Sequence, residues 1–238
     1  MTTTTQSATK FFDGETEEFA ANYQKKASFK DRLNIFVEAV QDTTKAPGQI
    51  LDFGCGPGVI SVALGKLGYH VTGLDGSAEM VRMCRARAEK LGLKNLKFDH
   101  HAAEGVQLPR EQFDAVVCSS VVEYVVDDMP LIEKLIASLK TGGHLILSVP
   151  NAGSLTGKAE SAVKQLKRAA RGGRGRHLSY SLRRYNIPKF CSELERLGLS
   201  EIQCKSFEFP SFGTAGVKLS RLPMFGVMVQ VRGRKRGV

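Results

Sequence analysis

The sequence lacks any paired-cysteine motif and any long apolar run. Its five cysteines, Cys55, Cys84, Cys118, Cys191 and Cys204, are odd in number and scattered, with no Cys-x-x-Cys spacing. That speaks against a disulfide framework and a zinc site, leaves no metal to expect, and points to a reducing, cytoplasmic setting. Cys118 in an apolar strand and Cys191 in an apolar helix read as small buried hydrophobes. No apolar stretch approaches the roughly 20 residues of a membrane-spanning helix. The longest candidate, residues 115–126, is interrupted by Glu123 and reads as a buried strand entering a turn. The start of the chain, Met1 to Ser7, is polar and lacks the apolar region of a secretory signal. No internal repeat is present. No aromatic residue is interleaved among the basic residues of 158–176, which argues against stacking on nucleic acid.

What is present is a chain of 238 residues, 42% apolar and 24% charged, long enough for one α/β domain with an appendage. The formal net charge is +10, and it is unevenly spread. Residues 158–184 hold nine Lys/Arg against one acid, Glu160, and residues 232–236 hold four more. The remainder is near neutral. The positive charge therefore belongs to one insert and a tail, a pattern that fits a local anionic partner and not a wholly basic surface.

Apolar periodicity alternates between helix and strand. It predicts helix 16–42, strand 49–53, helix 59–67, strand 69–74, helix 78–90 with Ser77 as N-cap, and strands 95–100 and 113–119. Helix 129–139, strand 144–149, a long insert at 151–180, helix 187–197, strand 199–206 and an apolar run 225–231 follow. Alternating strands and helices imply a mostly parallel sheet covered on both faces, with the last two strands pairing antiparallel. Ligands then bind at the carboxyl ends of the strands.

The chemistry-bearing stretch is Leu51-Asp52-Phe53-Gly54-Cys55-Gly56-Pro57-Gly58, a strand running into a glycine turn. The next strand ends on Asp75, placed to accept the hydroxyls of a ribose. A nucleoside-containing cofactor is implied. A nicotinamide or flavin dinucleotide asks for Gly-x-Gly-x-x-Gly; here the last spacing is one residue shorter. Asp52, two residues before the first glycine, is unwelcome beside a pyrophosphate and suits the cationic amino-acid end of S-adenosylmethionine.

With Gly73-Leu74-Asp75-Gly76-Ser77-Ala78-Glu79-Met80, Phe113 to Val125 and Leu139 to Asn151, these residues resemble the class I S-adenosylmethionine-dependent methyltransferases. The pattern is most similar to the small-molecule group that includes the ubiquinone-biosynthesis O-methyltransferases. The resemblance implies a Rossmann-like, seven-stranded sheet with an antiparallel last strand. It also implies that Gly54, Gly56 and Gly58 admit the methionine portion while Asp52 supports its ammonium. Asp75 holds the ribose, Met80 packs near the adenine, Ala103 and Glu104 border the adenine edge, and Ser119 faces the methionine end. Tyr23 and Arg32 resemble lid positions over the cofactor. Relatives commonly show Glu-His where this chain has Glu123-Tyr124, and an aspartate where it has Ala102.

The expected organisation is an N-terminal tail and helical lid over residues 1–46, then a methyltransferase domain over 47–238 with a basic cap insert at 151–180. The expected reaction is methyl transfer to a small-molecule acceptor, O- more than N-, the acceptor being anionic or aromatic. Tyr124 is a candidate for orienting an acceptor hydroxyl and His177 for general base. The basic insert, 158–184, reads as a solvated cap, a gate over an anionic acceptor, or a peripheral contact with an anionic membrane. A nicotinamide-dependent oxidoreductase and a non-catalytic binding module remain as alternatives.

Overall fold

The computed structural model describes residues 21–23, 25–103, 105–159, 183–208, 221, 222 and 224–237. Its elements are α1 (Ala27–Thr43), β1 (Gln49–Phe53), α2 (Val59–Lys66), β2 (His70–Asp75), α3 (Ala78–Lys90), β3 (Leu96–His100) and β4 (Phe113–Ser119). A short 3-10 turn (Val122–Tyr124), α4 (Asp128–Ser138), β5 (Leu139–Pro150), α5 (Ile187–Arg196), β6 (Leu199–Phe207) and β7 (Met228–Lys235) complete them. The seven strands form one sheet in the order β3-β2-β1-β4-β5-β7-β6. β1 pairs in parallel with β2 and β4, while β7 runs antiparallel to both β5 and β6.

Side chains of a strand alternate between faces, and here both faces are covered. Leu51, Val116, Cys118, Leu145 and Leu147 meet Leu131, Ile132 and Leu135 of α4 and Phe190 and Leu194 of α5. Ile50, Ala115, Val117 and Ile146 meet α1 through Ile35, Phe36, Ala39 and Val40, beside α2 and α3. Burial on both sides explains why the central strands read as continuous apolar runs. It also makes α1 a layer of the core: Phe36 and Val40 are fully buried.

Four boundaries differ from the sequence expectation. The helix expected over 16–42 is interrupted at Lys26, which is extended (φ −100°, ψ 128°), and α1 begins at Ala27. Asn22 still accepts the Lys26 N–H at 2.8 Å, so the two helical pieces stay joined through a turn. The turn sets Tyr23 edge-on to Phe29, ring centroids 5.0 Å apart. β5 starts at Leu139, not 144, because Thr141-Gly142-Gly143 forms an irregularity inside the strand: Phe113 pairs with Leu139, but Ala115 pairs with His144. Gly142 takes φ 79°, and a Cβ on Gly143 would stand 2.9 Å from the Asp114 carbonyl oxygen.

β6 ends one residue beyond expectation, at Phe207. β7 runs on through the basic tail to Lys235. Val229, Val231 and Gly233 face inward, while Arg232 pairs with Asp42 at 3.0 Å, Arg234 with Glu201 at 3.2 Å and Lys235 with Glu111 at 3.5 Å. Most of the basic tail is therefore strand, with Arg232, Arg234 and Lys235 each paired to an acid. The remaining helices and strands lie within a residue of expectation. The Ser77 cap is present, its hydroxyl accepting the Met80 N–H at 3.1 Å.

Candidate active site

The carboxyl ends of β1, β2 and β4 lie side by side and define the candidate crevice. After β1 the chain turns through Gly54 (φ 70°), Gly56 (φ 51°) and Gly58 (φ 71°), a conformation that side-chain-bearing residues rarely adopt. The Gly54 and Cys55 amides donate to the Leu74 carbonyl at 2.7 and 3.0 Å, fastening the turn to β2. Asp75 finishes the job: Oδ2 accepts the Gly56 N–H at 2.7 Å and Oδ1 accepts the Ser77 N–H at 2.9 Å. Through these two bonds Asp75 braces the turn against the start of α3.

Close approach explains two of the glycines in terms of the chain itself. A Cβ at Gly54 would lie 2.2 Å from a Val121 methyl, and one at Gly58 would lie 2.7 Å from the Cys84 sulfur. The turn is wedged between the loop after β4 and α3.

Asp52 is 1% exposed. Its Oδ2 accepts the Ser61 hydroxyl at 2.5 Å, while Oδ1 has no hydrogen-bond partner among the described residues. Burial, with the nearby Asp75 charge, lifts its pKa to about 6 in spite of Ser61. Ser119, at the end of β4, also carries a buried, unpartnered oxygen. So does Glu123, in the turn immediately after. Three orphaned polar atoms at neighbouring strand ends form the donor and acceptor set that a polar ligand would complete, since a buried polar atom without a partner costs about 1–3 kcal/mol. An ammonium fits Asp52 and a carboxylate or hydroxyl fits Ser119, so the amino-acid end of S-adenosylmethionine suits them. A pyrophosphate does not suit two adjacent carboxylates.

Of the other sequence candidates, Met80 is buried in the first turn of α3 and Ala103 packs against the core cluster. Tyr124 follows Glu123, and burial, then the Glu123 charge, raises its pKa. Tyr23 is raised chiefly by burial and hydrogen-bonds Arg32. The Asp52 charge adds to that rise. Glu104, His177 and insert residues 160–182 lie outside the described residues.

Two features go beyond the sequence candidates. Glu208, just past β6, accepts Arg32 Nε at 2.9 Å, with a second contact from Nη2 to the same oxygen. The Arg32 guanidinium lies over the Phe29 and Phe207 rings, 5.2 and 5.9 Å from their centroids. Burial opposes its charge, but Glu208 outweighs that and holds it fully protonated. Glu123 is the second. It is 2% exposed, and burial raises its pKa to about 8 against the pull of its own backbone N–H and Arg32. A sequence signal for Glu123 existed, a lone acid breaking an apolar run. Glu208 gives none, because its role depends on α1 crossing the end of β6.

A family model described as a methyltransferase domain matches residues 45–187. The chain belongs to the methyltransferase-domain family. A curated relative, the ubiquinone biosynthesis O-methyltransferase of Vibrio vulnificus (strain YJ016), is 35% identical over 107 residues. That match covers 43% of this chain and 44% of the relative, so it spans less than half the relative's length. An S-adenosylmethionine-dependent methyltransferase structure from Thermotoga maritima superposes with TM-score 0.67 at 18% identity, covering 96% of this chain and 100% of the other. A structure of the cyclase SpnF reaches TM-score 0.69 at 14% identity, covering 100% and 98%. The fold is thus that of the S-adenosylmethionine-dependent methyltransferases. The cyclase neighbour shows that the fold by itself does not set the reaction.

Proposed function

We propose that this methyltransferase domain transfers a methyl group to a hydroxyl of a small, aromatic acceptor, with Glu123 receiving the hydroxyl proton. The observation that carries the reading is the buried Glu123 carboxyl with its unpartnered oxygen, one turn beyond the strand end that holds Ser119. When bound, S-adenosylmethionine presents a methyl on a sulfonium, and the chain's share is alignment and proton removal.

In this reading Asp52 and Ser119 hold the amino-acid end, Asp75 the ribose, Gly54, Gly56 and Gly58 the backbone cradle, and Met80 with Ala103 and Glu104 the adenine. Tyr23 and Tyr124 border the acceptor, and His177 is a further candidate on the cap. The segment before Ala27 and residues 151–180 close over the crevice as lid and cap. The positive charge of Arg32 is matched by Glu208, which favours an aromatic acceptor over an anionic one. Preference for oxygen rests on the ubiquinone biosynthesis O-methyltransferase relatives. The basic insert supports a peripheral contact with anionic lipid, and the scattered free cysteines support a cytoplasmic setting.

A base with a pKa near 8 acts when ionised. The rate of methyl transfer to a catechol should therefore rise with pH and level off above about 8. Glu123→Gln should lower kcat by roughly 10²–10⁴, abolish that rise and leave S-adenosylhomocysteine affinity unchanged. A Gln variant with the full rate and the same profile would remove Glu123 from the reaction.

A further inference from the structure

Two cysteines far from the crevice face each other. Cys191 on α5 and Cys204 on β6 bring their sulfurs within 3.5 Å. Both are free thiols; Cys204 is exposed and Cys191 half-buried, whereas Cys55, Cys84 and Cys118 are buried. β6 is an edge strand of the sheet, so solvent reaches the pair. The two thiols are unequal. Partial burial of its sulfur, then the contact with Cys191, pushes Cys204 up to about 12 although the residue as a whole is exposed. Cys204 is therefore the thiol less ready to attack first.

We propose that Cys191 and Cys204 form a dithiol exchange site for low-molecular-weight disulfides of the glutathione class. The Cys191 thiolate attacks one sulfur of the small disulfide. That S–S bond breaks, one small thiolate leaves with the proton given up by Cys204, and Cys191 carries a mixed disulfide. The Cys204 thiolate then attacks the Cys191 sulfur, and the second small thiolate departs, taking a proton from solvent. Two protein thiols are oxidised to one disulfide while one small disulfide is reduced to two thiols. The sulfurs need to close from 3.5 Å to about 2.05 Å, a side-chain movement. The bond would join α5 to β6 shortly before Phe207 and Glu208, the residues against which Arg32 lies. This site is independent of the proposed methyl transfer.

The test incubates the reduced full chain with oxidised glutathione, alkylates it and digests it with trypsin. Cys191 falls on the peptide Phe190–Arg196 and Cys204 on Leu197–Lys205. The expected product is these two peptides joined, two hydrogens lighter than the pair and separated by reductant. In Cys204→Ser, glutathione should remain on Cys191. In Cys191→Ser, modification of Cys204 should slow at least tenfold. Absence of the joined peptides, or glutathione resident on both wild-type cysteines, would overturn the proposal. So would undiminished modification of Cys204 in Cys191→Ser. Cys55 and Cys84 also contact each other but are buried. They should react only on unfolding, and a cross-link between them in the folded chain would contradict exposure as the deciding property.

Discussion

At the residue scale, the glycine turn is fixed from two sides, by backbone sign and by its neighbours. Gly54→Ala adds a Cβ where φ is 70° and where Val121 stands 2.2 Å away. The conformational part alone costs about 1–2 kcal/mol, and the clash adds to it. Val121→Ala should restore part of the loss in chemical denaturation, because it removes the obstructing methyl but not the backbone strain. Additive losses in the double variant would mean that the wedge is not the cause. Glu123 makes a second residue-scale prediction, on stability. Its folded pKa, about 8, lies above the usual carboxylate value. The folded chain therefore binds more protons than the unfolded chain between those values. The contribution is fully present below about 4.5 and is lost as pH rises through 8. Glu123→Gln should flatten the decline in melting temperature over that window. Asp52, raised to about 6, contributes in the same direction over a narrower range, so a residual slope is expected to remain.

At the element scale, α1 is clasped to the connection leaving β6. Arg32 pairs with Glu208, and Asp31 pairs with Arg221 at 2.5 Å. The two pairs run in opposite directions, so each fixes the register of the other. Removing one partner of a buried pair leaves an uncompensated charge, and Arg32→Ala should cost about 3–5 kcal/mol. Glu208→Ala in the same background should recover a measurable part of it; no recovery would show that Arg32 acts through Phe29 and Phe207 alone. Most elements were legible in sequence because each carries its own period. α3 runs from a capping Ser77 over Met80, Val81 and Cys84, and β1 is apolar because both its faces are covered. What was not legible is non-local. The break at Lys26 serves a contact between Tyr23 and Phe29, and the β5 irregularity depends on which residue of β4 lies opposite. The clasp depends on a helix and a strand end 176 positions apart in sequence.

At the scale of the molecule, charge is distributed differently from the composition. The basic residues of β7 are held by Asp42, Glu201 and Glu111, and Arg183 is held by Asp128 at 2.6 Å. In the sequence, nine Lys/Arg against one acid are gathered in residues 158–184. Replacing Lys164, Lys167, Arg168 and Arg171 by Gln should weaken binding to anionic vesicles or raise the acceptor KM, with cofactor affinity unchanged. If neither moves, the insert is a solvated cap. The glycine turn proposed to hold the cofactor was legible because the motif from Asp52 to Gly58, with Asp75, is compact in sequence. The proposed acceptor half was less so, because Tyr23, the Glu123–Tyr124 turn and Glu208 are far apart in sequence. The proposed ligand of the crevice is S-adenosylmethionine. Calorimetric titration of the wild type and Asp75→Ala with S-adenosylhomocysteine and with NADH tests it directly. The expected result is saturable binding of S-adenosylhomocysteine, weakened at least tenfold in Asp75→Ala, which loses the acceptor for both the ribose and the Gly56 amide, and no heat with NADH. Saturable binding of NADH without binding of S-adenosylhomocysteine, or an affinity indifferent to Asp75→Ala, would contradict it.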